Sequence, residues 1–184
     1  MTTAPADLAR SRSGFPELPA ELAFDRPNEA DGASLWRIAR DSEVLDLNSP
    51  YSYLLWCRDF AATSAVARDP SGRPAGFVSG YRRPEAPGTL FVWQVAVDEA
   101  VRGRGVAAAM LDGLSAREAR RPAGLRCLET TIERGNTASE RLFTSYAARH
   151  GASLTREVLF EPGHFPEGEA HATEVLHRIT LPGF

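Results

Sequence analysis

The chain carries only two cysteines, Cys57 and Cys127, in 184 residues. Two thiols cannot make a disulfide framework, and their scarcity suits a reducing compartment. No apolar run reaches the roughly 18 residues of a membrane-spanning helix. The first twenty residues hold Arg10 and Arg12 but no apolar stretch of the kind a secretory leader needs. Positive charge is not in excess either. With 21 Lys+Arg against 24 Asp+Glu, the formal net charge is -3, which argues against a nucleic-acid binder that must neutralise phosphates. No Cys/His cluster has metal-ligand spacing, so no metal is expected. What remains is 43% hydrophobic and 24% charged, the balance of an ordinary soluble globular protein. The expectation is a cytoplasmic chain with no membrane or nucleic-acid partner.

Residues 1–20, with Pro5, Pro16 and Pro19, read as a tail that takes little part in the fold, and 21–184 as one domain. A short strand is expected at Glu21–Phe24. A helix follows within Asp31–Ser42, with Leu35, Trp36, Ile38 and Ala39 on its apolar side. Ser49 is placed to cap a second helix and Pro50 to occupy its first position, with Leu54, Leu55 and Cys57 packing it down. Thr63–Arg68 and Ala75–Arg82 read as strands joined by the turn residues Asp69-Pro70-Ser71-Gly72. Leu90–Val97 is nearly all apolar, as a central strand buried on both faces would be. The remaining elements are a helix over Val106–Arg120, a strand at Leu125–Ile132 and a helix from Asn136 to about Arg149, with Leu142, Phe143 and Tyr146 inward. Strands at Val158–Phe160 and Val175–Leu181 follow. The order β-α-α-β-β-β-α-β-α-β-β predicts an α/β or α+β fold with a mixed sheet.

The segment Val97-Asp98-Glu99-Ala100-Val101-Arg102-Gly103-Arg104-Gly105-Val106-Ala107 is the most informative. A strand ends, a glycine-bearing loop follows and a helix opens. The first amides of that helix lack internal partners and, with the helix dipole, make an anion site. Gly103 and Gly105 let a diphosphate approach the backbone with no Cβ in the way. No Gly-Lys pair followed by Ser or Thr exists, which removes a nucleoside-triphosphate loop. Gly103 to Ala108 formally fits a Gly-x-Gly-x-x-Ala dinucleotide motif, but it lies past mid-chain and after a hairpin, where too little chain remains for that fold. The third ligand is coenzyme A. The run Arg102-x-x-Gly105-x-Ala107 resembles the Arg/Gln-x-x-Gly-x-Gly/Ala signature of the GNAT N-acetyltransferase superfamily, in its usual place between a Val-Ala-Val strand and a helix.

The chain also resembles, more closely, the diaminobutyrate acetyltransferase family of ectoine biosynthesis. The residues that carry this are Leu45-Asp46-Leu47-Asn48-Ser49 with Tyr51 and Tyr53, Gly76–Tyr81, Phe91-Val92-Trp93-Gln94-Val95, Leu128–Ile132, Asn136 with Ala138-Ser139 and Leu142-Phe143, and a terminal segment with His171, Glu174 and Leu176. The resemblance implies a GNAT-type, mostly antiparallel sheet of about seven strands flanked by helices, and a homodimer. It implies transfer of acetyl from acetyl-CoA to the side-chain amine of L-2,4-diaminobutyrate. Another small amine such as ornithine or a polyamine, or a coenzyme A-binding sensor without turnover, remain alternatives.

For the cofactor, the resemblance implies Arg102, Gly103, Arg104, Gly105, Val106 and Ala107 at the diphosphate, Val95 and Val97 as the strand edge that pairs with pantetheine, and Asn136 as a later contact. Asn136 also has the residue type of a plain helix cap. A diamine substrate arrives protonated and needs carboxylates around it. Asp46 and Glu129 are the candidates, the first in a polar turn, the second within an apolar strand. Asp46 could equally be a turn former, and Glu129 could lie on a solvated strand face. Trp93 would wall the pocket or pack in the core. Tyr51, Thr130, Glu169 and His171 complete the expected substrate contacts, with Glu129 or His171 taking the proton and His164 a weaker candidate; Tyr51 could instead touch the cofactor or simply pack, and His171 could be an exposed loop residue. Two departures stand out. Many GNAT enzymes carry a general-acid tyrosine where Phe143 stands, with Tyr146 a poor substitute around the helix. Family members often have an acidic residue where Ala172 stands.

Overall fold

The computed structural model describes residues 16–166 and 171–182. Its elements are β1 (Ala23–Asp25), α1 (Gly32–Ser42), α2 (Pro50–Asp59), β2 (Ala65–Arg68), β3 (Pro74–Arg83), β4 (Ala86–Val97), α3 (Val106–Ala119), β5 (Cys127–Glu133), α4 (Thr137–Arg149), β6 (Ser153–Phe160) and β7 (Glu174–Thr180). The seven strands form one sheet in the order β1-β2-β3-β4-β5-β7-β6. Every pairing is antiparallel except β4 with β5, because α3 carries the chain back as a crossover between them.

Local chemistry explains the helix starts. Before α1, the Asn28 side chain accepts from the Ala30 amide and Asp31 accepts from the Asn28 amide. Ser49 Oγ accepts from the Ser52 amide at 3.3 Å to cap α2, with Pro50 in its first turn. The buried side of α2 is Tyr53 and Cys57, one turn apart, rather than the expected Leu54, which is 43% exposed. Tyr53 is held inward by its hydroxyl bond to the buried Gln94 and its edge contact with Phe77. Burial pushes the Cys57 thiol up to about 12 and also raises Cys127, so neither is poised as a thiolate.

Two cores cover the two sheet faces. Leu35, Ile38, Ala39, Tyr53 and Cys57 of α1 and α2 pack on Val66, Phe77 and Ala96. Met110, Leu111 and Leu114 of α3 and Phe143 and Tyr146 of α4 pack on Val78, Leu90, Val92, Leu128 and Ile179. The expectation that Leu90–Val97 is buried on both faces needs correction. The β3–β4 register slips beside Ser79 and Gly80, leaving Trp93 as the extra residue of a bulge. Leu90 and Val92 face α3, whereas after the bulge Ala96 faces α1 and α2, and Trp93 is 48% exposed. A Cβ on Gly80 would lie 2.8 Å from the Phe91 carbonyl oxygen, so the close backbone approach at this bulge requires glycine.

Three boundaries also differ from the sequence reading. β4 starts at Ala86, because Arg83 pairs with Ala86 in a tight hairpin. β6 runs over eight residues rather than three. It is an edge strand with seven of its eight residues exposed, so burial imposes no alternation of apolar side chains. Of the expected tail, residues 1–15 lie outside the described residues, but Leu18 packs against the larger core. Across the β3–β4 hairpin, Arg82 binds the fully buried Glu118 carboxylate at 2.8 Å and also donates to the carbonyls of Pro87, Gly124 and Glu118. Removing one partner of such a buried pair costs about 3–5 kcal/mol.

Candidate active site

The site begins where β4 and β5 part. Their parallel pairing covers only Thr89–Phe91 against Cys127–Glu129. Beyond Phe91, β4 keeps β3 on one side, with Val78 opposite Val95 and Gly76 opposite Val97, and among the described residues has no strand partner on the other. The unpaired edge of β4 therefore offers main-chain groups to an extended ligand. A cavity of about 320 Å³ fills the split, within the range of small-molecule sites. Its walls include Tyr81, Phe91 and Trp93 on one side and Thr130 to Glu133 on the other, with Asn136, Ser139 and Phe143 of α4 at one end. The Trp93 ring is 4.9 Å from Trp56 in an edge-to-face contact, which holds it upright beside the opening.

The glycine turn lies at the same end of β4. A short turn capped by Asp98 leads to Arg102, then Gly103 at φ 74 and Gly105 at φ 77. At both glycines the space a Cβ would take is empty. Gly105 is the N-cap of α3, and among the described residues no side chain caps that helix; the first amides of a helix without such a cap can bind an anion. The two arginine side chains that flank Gly103 are each engaged within the fold. Arg102 donates to the carbonyls of Val97 and Asp41, bracing the turn against the end of β4 and of α1. Arg104 pairs with Glu21. Val106 is buried and Ala107 half-buried at the start of α3.

The acidic side of the cavity is built from three chain segments. The carboxylates of Asp46 and Glu133 and a ring nitrogen of His171 lie within 4.8 Å of one another. That ring of atoms suits a cation of ammonium size. His171 also stacks on Phe165, with centroids 4.1 Å apart and planes 12° from parallel. Glu174, the first residue of β7, is opposite Glu133 in the register and lines the cavity. Burial pushes its carboxyl above the usual range; Glu133 and Asp46 push the same way, while a Thr131 hydrogen bond and His171 oppose. The loop bearing Asp46 is tethered from beneath. Gln94, buried, donates to the Asp46 carbonyl at 2.9 Å and accepts from the Tyr53 hydroxyl at 3.0 Å.

Asp46, Trp93, Val95, Thr130 and Asn136 thus come together on the cavity wall, with His171 beside it. Asn136 Oδ1 accepts from the Ser139 amide, so it caps α4 and faces the cavity at once. Tyr51 is 65% exposed on α2 and away from the wall. Glu129 lies below the split, where β4 and β5 still pair; it is 3% exposed and bound by Arg178 at 2.8 Å and Arg83 at 3.1 Å. Both of its oxygens are engaged away from the cavity. Glu169 lies outside the described residues. Tyr146 is fully buried, bonded to Ser115, and its hydroxyl is pushed up to about 12 by burial, so it does not replace the tyrosine absent at Phe143. Glu133, Glu174, Gln94, Thr131 and Ser139 are polar wall residues that sequence reasoning did not single out as site residues. Strand alternation would have placed Glu133 on the face of Thr131, but nothing in the sequence sets Glu174 opposite it.

The family model described as "Acetyltransferase (GNAT) family" matches residues 32–147. The chain is 64% identical to the L-2,4-diaminobutyric acid acetyltransferase of Streptomyces avermitilis over 97% of both chains. It is 66% identical to the protein of the same name from Streptomyces coelicolor, over 87% of this chain and 93% of that one. Among solved structures it is similar to the diaminobutyrate acetyltransferase EctA of Paenibacillus lautus in complex with L-2,4-diaminobutyric acid and coenzyme A, at 41% identity and a TM-score of 0.80, covering 88% of this chain and 95% of that one.

Proposed function

Because the chain belongs to the acetyltransferase (GNAT) family, we propose that it transfers the acetyl group of acetyl-CoA to the γ-amine of L-2,4-diaminobutyrate, giving N-γ-acetyl-diaminobutyrate for ectoine biosynthesis. One observation carries the substrate assignment: a small cavity at the strand split gathers Asp46, Glu133 and Glu174 on its wall. A substrate with two ammonium groups and one carboxylate suits such an acidic pocket.

Acetyl-CoA supplies an activated acetyl group as a thioester. The turn fits its diphosphate: among the described residues no side chain caps the start of α3, and the Cβ space at Gly103 and Gly105 is empty. Arg102 holds that turn in shape. The free edge of β4 at Val95 and Val97 pairs with the pantetheine arm, and a main-chain amide there points at the thioester oxygen, where negative charge develops. Asp46, Glu133 and His171 hold an ammonium of the substrate, and Trp93 packs on its carbon chain. Phe143 leaves the thiolate side of the cavity without a tyrosine acid.

The chain is read as one domain acting in the cytoplasm as a homodimer. A single continuous sheet supports the first. Among the described residues no helix is long and apolar enough to cross a membrane. The exposed Val158, Leu159 and Phe160 on edge strand β6 support a second copy. Mass spectrometry after incubation with acetyl-CoA and L-2,4-diaminobutyrate tests the reaction. A γ-monoacetylated product, formed with at least about tenfold preference over ornithine and polyamines, is expected; no such product refutes it.

A further inference from the structure

The acetyl acceptor arrives as an ammonium, and attack requires the neutral amine. The residue that removes that proton must border the cavity, sit on a rigid element and keep an oxygen available. Glu129 fails on position and on its two arginine partners. Asp46 is on an exposed loop and, with Glu133 and His171, belongs to the cation-sized ring. Glu174 stands on β7, half-buried, across from Glu133 and on the cavity wall.

We infer that Glu174 is the catalytic residue that takes the proton from the acceptor's γ-ammonium. The inference rests on the acetyl-transfer reading above. The groups that face Glu174 are Glu133 and the Thr131 hydroxyl from β5, Asp46 from the loop before α2, and His171 from the segment before β7; β6 sets Phe160 opposite it. Burial first, and then the neighbouring Glu133 and Asp46 carboxylates, make Glu174 reluctant to stay ionised, which raises its affinity for a proton.

The step balances as follows. One N–H bond of the ammonium breaks and an O–H bond forms on Glu174. The nitrogen lone pair then forms the N–C bond to the acetyl carbon and the C–S bond breaks. The sulfur leaves with the electron pair and collects the second proton of the nitrogen, and Glu174 passes its own to water.

Glu174→Gln is expected to lower kcat about 100-fold or more, to abolish the acid limb of the pH profile of kcat/KM, and to leave coenzyme A binding within twofold. Glu174→Asp, which keeps the carboxyl, should restore part of the rate and the limb, even if the amide variant folds poorly. An aminooxy analogue of the acceptor arrives uncharged near neutral pH, so its acetylation should be nearly indifferent to Glu174→Gln. A kcat within threefold of the parent, an unchanged acid limb, or an equal loss with the aminooxy acceptor overturns the assignment. If the parent enzyme acetylates a different amine and Glu174→Gln still removes the limb, the substrate reading falls and this one stands.

Discussion

Gly105→Ala separates the cost of backbone strain from the cost of blocking an anion site. Gly105 is at φ 77, and a methyl group there meets no atom within 4 Å. The substitution therefore adds no clash. It adds only the penalty of a left-handed conformation, about 1–2 kcal/mol for an L-residue. For a chain of this length, that is a fall in Tm of about 2–8 °C. Gly72, at φ 83 in the β2–β3 turn and equally open, supplies the control. Gly72→Ala should cost the same in Tm and nothing in cofactor binding. At Gly105 the methyl also stands where a diphosphate must come to the α3 amides. Loss of one charge-assisted hydrogen bond, about 1.5–3 kcal/mol, weakens binding roughly ten- to hundredfold. Calorimetric titration of acetyl-CoA into both variants reads the difference. If Gly105→Ala binds within twofold of the parent, or if the two variants weaken binding alike, the amides at this turn do not clasp the cofactor.

Tyr53→Phe leaves Gln94 Oε1 buried without its donor, and steady-state kinetics should show a severalfold rise in KM for the diamine with KM for acetyl-CoA unchanged, because Gln94 tethers the Asp46 loop. Glu129→Gln strips Arg83 and Arg178 of their counter-charge; thermal melts should report a loss of roughly 1–3 kcal/mol, while kcat stays within threefold. The Asp69 carboxyl, held down to about 2 by the Ser71 hydroxyl and then by the Arg73 and Ser71 amides, should titrate there by NMR. Its contribution to stability is complete above its ordinary value of 3.8 and is lost as pH falls through about 2; Ser71→Ala should move the midpoint upward.

The element order, the caps at Ser49 and Asn136 and the glycine turn were legible because each rests on contacts within a few residues. The fate of Glu129 was not. A glutamate in an apolar strand signals only that a partner exists, and the partners, Arg83 and Arg178, are 46 and 49 positions away. The bulge at Trp93 was hidden for the same reason. Its existence depends on Gly80 approaching Phe91 across two strands. Without it, an unbroken apolar run reads as a strand buried on both faces.

By itself the sequence determined the family and the glycine turn that opens α3, since motif spacing and local hydrogen bonding depend on neighbours along the chain. Which carboxylates share the cavity was decided only by tertiary structure. The split between β4 and β5 opens past Phe91, and the antiparallel return of β7 sets Glu174 against Glu133. Strand register is a property of paired chains, so no single segment could announce it.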